Sequence, residues 1–332
     1  MAKMPNQKLK LLYLMKILLS HTDVDHALTL AEISAELARY DISAERKSLY
    51  DDMELLKVYG IDVQIKRDRQ VRYYVAKHPF SLAELKLLID AVQASKSITV
   101  PKSMELIRKL EGLGSHYEGS LLHEQVFMEN RLKAANEEIF ANVETLYRAI
   151  ARNRKIECRY FEWNARKQRL LRHDGRVYRI SPWALTWYDE NYYLVAYDSE
   201  AEIIKHFRVD KMLEVRVTEE KREGERAFAD FDMAVYSRQI FGMYGGEACN
   251  VRIRCDNELA GVVIDRFGQE VTILSNTDTY FEFSTKVMVS PTFFAWVLGF
   301  GGRMKILSPE SVAKELVKVA KEAIAAYGTE SE

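Results

Sequence analysis

The chain has 332 residues, 48% of them apolar and 29% charged, which is enough for two or three domains with packed cores and argues against a disordered protein. Its net charge of −1 argues against a uniformly basic nucleic-acid binder. Three cysteines, Cys158, Cys249 and Cys255, with no CxxC pair and no histidine cluster beside them, argue against a disulfide framework and a zinc site.

Charge is unevenly spread. Residues 1–78 carry +2 (13 basic, 11 acidic), 79–146 carry −3 (7 against 10), 147–216 carry +5 (15 against 10) and 217–332 carry −5 (13 against 18). An anionic partner is therefore expected at the first or third stretch. The apolar N-terminal run is broken by Lys8, Lys10 and Lys16, and no stretch approaches the length of a membrane span. A cytoplasmic protein without membrane contact is expected.

Residues 7–20 read as a helix. Thr29-Leu30-Ala31-Glu32 is a capping-box pattern opening a second helix to Arg39, and Ser43 is placed to cap a third that carries Leu49, Met53 and Leu56 on one face and stops at Gly60. Ile61, Val63 and Ile65, then Val71, Tyr73 and Val75, alternate around the polar tip 66–70, which predicts a β-hairpin.

Residues 79–152 read as a helical connector. Ser81…Glu84 forms another capping box, Pro101 suits a first turn, and Asn136 is placed to cap a helix with Val143, Leu146 and Ile150. From Lys155 the period becomes two. Strands are expected at 155–162, 168–172, 176–186, 191–197, 203–209 and 212–217, with turn chemistry at His173-Asp174-Gly175, together suggesting a small barrel. Residues 217–245 read as charged, then irregular. Alternation returns at Cys249–Cys255 and Phe281–Val289, and an amphipathic helix opens at Ser308-Pro309-Glu310 and stops at Gly328. The fold class is α+β multidomain, with domains at 1–78, 79–152, 153–220 and 240–330.

Two surfaces carry chemistry. A helix-turn-helix followed by a basic hairpin is a winged helix-turn-helix, and its third helix leaves Arg46, Lys47 and Tyr50 open beside Ser43 and Ser48. Such side chains contact base edges and phosphates of duplex DNA. Lys66, Arg67, Arg69 and Arg72 of the hairpin fit phosphate contacts. In the barrel, Arg159, Arg179, Lys205, His206, Arg208 and Lys211 lie on strands rich in aromatics such as Tyr160 and Tyr193, a composition suited to phosphates and stacked bases.

The stretch Arg179-Ile180-Ser181-Pro182-Trp183, then Tyr192-Tyr193-Leu194, then Phe207-Arg208-Val209-Asp210-Lys211, resembles the WYL domain family. Tyr192 stands where that family has its name-giving Trp, and Lys211 where it has Arg. Ile240–Glu247 and Trp296–Gly301 resemble the C-terminal extension of such regulators, and residues 1–78 resemble their winged helix-turn-helix. The resemblance implies a small Sm/SH3-like β-barrel holding a regulatory ligand, a nucleotide or oligonucleotide, bound through Arg159, Tyr160, Arg179, Ser181, Tyr193, Lys205, His206, Arg208 and Lys211. It also implies a C-terminal α/β extension that makes a homodimer, and transcription regulation at an operator.

Ser181, His206 and Asp210 could be drawn as a triad. Ser181 has no Gly-x-Ser-x-Gly elbow and precedes a proline, and the chain has no phosphate loop or dinucleotide fingerprint. Neither catalysis nor a cofactor nor a metal is expected. The competing reading is an RNA- or single-strand-binding or interaction protein that uses the barrel as its main surface. A preference for duplex over single strands separates the two.

Overall fold

The computed structural model describes residues 6–126, 133, 136–229 and 232–328. It divides into two compact units, Met1–Glu137 and Glu138–Glu332.

In the first unit, α1 (Lys10–His21) buries Leu14, Ile17 and Leu18. A two-residue strand β1 (Leu28–Thr29) leads into α2 (Leu30–Ala38). The expected capping box is formed: the Thr29 hydroxyl accepts from the Glu32 N–H at 3.3 Å, and the Glu32 carboxylate accepts from the Thr29 N–H at 2.7 Å. Helix α3 (Arg46–Tyr59) buries Leu49, Met53 and Leu56 and ends on Gly60 at φ 109°, a left-handed conformation that favours glycine.

Ser43 does not cap α3. Glu45 holds the N-cap position with no side-chain bond, three residues after the fully buried Ile42. Asp41 turns the chain at φ 58°, Ile42 enters the core, and Glu45 is still extended, so the helix cannot begin earlier. The hairpin of β2 (Val63–Arg67) and β3 (Val71–Val75) pairs Val63 with Val75 and Ile65 with Tyr73. β1 joins the other edge of β3 through Leu28 and Tyr73, giving the order β1-β3-β2. Helices and hairpin share one core.

Three further helices follow: α4 (Leu82–Ala94), α5 (Val100–Glu111) and α6 (His116–Glu124), capped by Ser81, Thr99 and Ser115. They enclose a small core of Leu85, Ile89, Ile107 and Leu122. The buried Asp23 carboxylate ties this bundle to the first core, accepting from the Ser115 hydroxyl at 2.5 Å and lying 2.7 Å from His26 Nδ1. Residues 127–132 and 134–135 of the expected connector lie outside the described residues, as do 1–5, 230–231 and 329–332.

The second unit opens with α7 (Ile139–Ala151). Asn136 does not cap it: Asn136 is itself buried, and Glu138 holds the cap without a side-chain bond. All six expected strands are present: β4 (Arg154–Trp163), β5 (Arg169–Leu171), β6 (Tyr178–Tyr188), β7 (Asn191–Asp198), β8 (Ile203–Arg208) and β9 (Met212–Lys221). Their order is β5-β4-β6-β7-β8, with β9 also on β4. They make a curled half-barrel. Among the described residues β8 and β9 do not pair, because the 3-10 turn Val209–Lys211 carries the chain from one to the other. α7 closes the floor with Leu146 and Ala149 against Ile156, Leu194, Phe207 and Met212.

The stretch read as irregular contains α8 (Met233–Gln239). It lays Phe228, Tyr236, Ile240 and Met243 against Val195 and the aromatics of β6 and β7. The remainder is β10 (Glu247–Asp256), α9 (Ala260–Phe267), β11 (Thr272–Asn276), β12 (Tyr280–Val289), α10 (Pro291–Leu298), β13 (Met304–Ser308) and α11 (Glu310–Ala326). The sheet is antiparallel in the order β11-β12-β10-β13, a split β-α-β arrangement. Val251, Ile253, Phe281, Phe283 and Val287 meet Val263, Phe267, Phe293 and Val297 in one core, while Arg252 and Arg254 point to the opposite face and grip Glu282. No helix among the described residues is long and apolar enough to cross a membrane.

Candidate nucleic-acid interface and ligand site

Burial of Leu49, Met53 and Leu56 fixes the roll of α3 and leaves Arg46, Lys47 and Tyr50 exposed on the opposite side. Arg46 and Tyr50 are one turn apart, and both Nε and Nη2 of the arginine donate to the Tyr50 hydroxyl at 3.3 Å. The Tyr73 ring, reaching from β3, meets the Tyr50 ring edge-to-face, with centroids 6.2 Å apart. The neighbouring Tyr73 hydroxyl first, and Arg46 second, hold the Tyr50 phenol below its ordinary range. Burial, and then the neighbouring Tyr50 hydroxyl, push the Tyr73 phenol up to about 12. Ser48 is turned partly inward and accepts from Lys10 Nζ, which also pairs with Asp52 at 2.6 Å. Ser43 is exposed in the loop before α3.

On the hairpin, Lys66, Arg67 and Arg69 are exposed. Arg72 is half-buried, 4.0 Å from Asp68. The register sets Lys66 directly opposite Arg72. Like charges facing across a strand pair cost stability, a cost that an anion lying over them removes. An open groove of about 470 Å³ links these parts, lined by Thr29, Ala31, Ser34, Arg46 and Gln70.

The barrel residues fall into separate groups. Tyr160, Tyr193, Arg208 and Lys211 gather at the turn between β8 and β9, close enough to bias one another electrostatically. Tyr160 is buried and its hydroxyl accepts from the Arg208 N–H at 3.1 Å. Burial opposes the charge of Arg208, but bonds from Nε and Nη2 to Asp210, at 3.0 and 2.9 Å, raise its pKa above the ordinary value. The Lys211 ammonium is held below its usual range by burial first and Arg208 second. It forms no ion pair among the described residues, whereas Arg159, Arg179, Lys205 and Arg208 all do.

Arg179 sits elsewhere, bonded to Glu157 at 2.6 Å and Glu220 at 2.9 Å. Lys205 meets Asp198 at 2.5 Å, and Arg159 meets Glu214 at 3.3 Å. The imidazole of His206 faces Tyr236 at 3.1 Å, and burial pulls its pKa down to about 4. Ser181 is fully buried and accepts from the Glu223 N–H at 2.8 Å. Ser181, His206 and Asp210 thus bond to three different partners, with no contact among them that a triad would need.

Two residues here escape the linear reading. Arg172 biases both Lys211 and Tyr178 from the turn after β5. Arg222 lies 3.7 Å over Trp183, whose other neighbour, Phe228, is stacked at 4.5 Å. The stacking partners are far apart in sequence, so no local pattern marks them. Among the described residues no group of three or more His, Cys, Asp or Glu could hold a metal ion.

Two domain families match the second unit. A WYL domain covers residues 141–217, which span most of α7 and the half-barrel, and a WCX domain covers residues 247–324, the split β-α-β sheet with its helices. The chain carries both domains. Among solved structures it is similar to proteasome accessory factor B/C (PafBC) of Arthrobacter aurescens, at 18% identity over 96% of this chain and 48% of that one, with a TM-score of 0.30. It thus spans about half the length of that protein. It is also similar to a CRISPR Cas-related protein, at 15% identity over 90% of this chain and 78% of that one, with a TM-score of 0.36. Among curated proteins none matches.

Proposed function

We propose that the protein is a sequence-specific, DNA-binding transcriptional regulator whose DNA affinity is set by a ligand on the WYL domain. The observation that carries this reading is the outward face of α3, with Arg46, Lys47 and Tyr50 beside a hairpin that sets Lys66 opposite Arg72. The element order α1-β1-α2-α3-β2-β3, with β1 completing the sheet, supports reading this as a winged helix-turn-helix. Arg46 and Lys47 would enter the major groove, and Lys66, Arg67, Arg69 and Arg72 would follow the phosphates.

The ligand is an anion, a nucleotide or oligonucleotide, held at the Tyr160, Tyr193, Arg208 and Lys211 group. Its effect on DNA equals its differential affinity for two states of the protein, commonly about 1–3 kcal/mol. Internal pairing of Arg159, Arg179 and Lys205 weighs against the alternative in which the barrel is the main nucleic-acid surface. The protein acts in the cytoplasm as a homodimer and carries out no catalysis of its own.

The test is binding to a duplex selected from random DNA. Arg46→Ala and Lys47→Ala should each weaken it by about 1–3 kcal/mol with the fold intact. Unchanged affinity in both variants contradicts the proposal.

A further inference from the structure

Resting on the DNA reading of α3, we infer that Asp51 determines base specificity by accepting a hydrogen bond from the amino group of a cytosine in the major groove. Helix α3 carries the cations Arg46, Lys47 and Lys57 and the carboxylates Asp51, Asp52 and Glu54. A helix so balanced gains little from phosphates alone, so the place of each carboxylate decides what it can do. Two of them are answered from within the protein. Asp52 lies on the flank toward α1, its side chain 13% exposed and its Oδ2 2.6 Å from Lys10 Nζ. Glu54 lies 2.7 Å from Lys57, three residues on. Asp51 is exposed and has no ion pair or side-chain hydrogen bond among the described residues.

The direction of Asp51 follows from the core. Leu49, Met53 and Leu56 are buried, and Asp51 stands roughly 140–160° around the helix axis from each of them. Lys47, Tyr50, Asp51 and Glu54 recur at i, i+3, i+4 and i+7 and are all exposed, so they form one outward stripe. A carboxylate can only accept hydrogen bonds. On a duplex it is repelled by phosphates and by the acceptors N7 and O6 of guanine, N7 of adenine and O4 of thymine. The amino groups of cytosine and adenine are left. The adenine amino group lies between two acceptors, its own N7 and O4 of the paired thymine. The cytosine amino group has one such neighbour, O6 of the paired guanine, and a C–H on its other side. Cytosine is therefore the base that suits Asp51.

The simpler view is that Asp51 is a solvated surface charge that only repels DNA. The two views differ in what its removal does. Wild type, Asp51→Ala and Asp52→Asn are each used to select duplexes from random DNA, and the selected sites are then titrated. Alanine suits an exposed helical position, so the fold should be kept. Asp51→Ala should select the wild-type motif with one C·G pair no longer specified. Replacing that pair should weaken wild-type binding about tenfold, the size of one base-reading contact. The same replacements should change Asp51→Ala binding by less than about twofold. Asp52→Asn, whose charge is already met by Lys10, should keep the preference.

An Asp51→Ala variant that selects the full wild-type motif, or binds every duplex more tightly by one common factor, overturns the inference. Loss of specification at a pair other than C·G overturns it as well. So does loss of the same preference in Asp52→Asn, which would tie it to net charge and not to position. If Arg46→Ala loses the motif while Asp51→Ala keeps it whole, the DNA reading stands and this inference alone falls. A wild type that selects no duplex ends both.

Discussion

Arg208 holds Asp210, two residues further along the chain, through hydrogen bonds of 3.0 and 2.9 Å, while its own backbone N–H donates to the buried Tyr160 hydroxyl. The guanidinium that the WYL resemblance assigns to the ligand is thus already neutralised from within. An incoming anion must compete with Asp210 or approach the free edge of Arg208 beside Lys211. Asp210→Asn keeps the shape and removes the competing charge, so affinity for nucleotides or short oligonucleotides should rise by about tenfold, roughly one charge-assisted hydrogen bond. Arg208→Ala should lose that binding. Calorimetry checks both, and an anion affinity that falls in Asp210→Asn counts against this site.

Lys66 and Arg72 face each other across the hairpin. If both lie along phosphates, Lys66→Ala and Arg72→Ala should each weaken duplex binding about equally for all sequences and reduce the salt slope by about 1. Relief of the like-charge pair should leave the free protein as stable as before or slightly more so. A loss confined to one sequence would show that these side chains read bases instead.

Many elements were legible because their signals are local. The capping boxes Thr29…Glu32 and Ser81…Glu84 need only three intervening bonds along the chain, and both form. Ser43 and Asn136 carried the same kind of signal and failed, because burial of Ile42 and of Asn136 itself set the chain path there. The six strands followed from alternation, but barrel closure depends on pairing between β8 and β9, which the 3-10 turn at Val209–Lys211 prevents. In the site, the cations were visible and their counter-charges were not. Arg179 meets Glu220, and Arg159 meets Glu214, across the β4–β9 region at long sequence separation. Tyr73, on the alternating apolar face of β3, revealed its ring contact with Tyr50 only once β3 was placed beside α3.

His206 sits against Tyr236 with its pKa lowered to about 4 by burial. Above pH 6.5 the imidazole is neutral both folded and unfolded and adds no pH dependence. Between 6.5 and about 4 the unfolded chain takes up a proton that the folded one does not, so stability falls as pH falls, by up to roughly 2–3 kcal/mol. His206→Gln should flatten this part of the curve. Chemical denaturation at pH 7.5 and 4.5 measures it, and an equal pH dependence in wild type and variant contradicts the assignment.

Helix α11 buries only Val312, while Val317 and Ile324 on it and Tyr327 just after it are 49%, 58% and 87% exposed. Its apolar positions suit a second copy of the chain, as the homodimer reading requires. Light scattering at micromolar concentration should give twice the chain mass of 38.5 kDa, and Ile324→Glu with Tyr327→Glu should reduce it toward one. A monomer in the wild type, with and without DNA, rules the dimer out.

The central claim is that α3 directs this protein to particular duplex sites. Genome-wide footprinting of the wild type and of the Arg46→Ala, Lys47→Ala double variant tests it most directly. The account predicts a discrete set of sites sharing a sequence pattern, lost in the variant although the variant folds and accumulates normally. No enriched sites, or the same sites in both proteins, would contradict it.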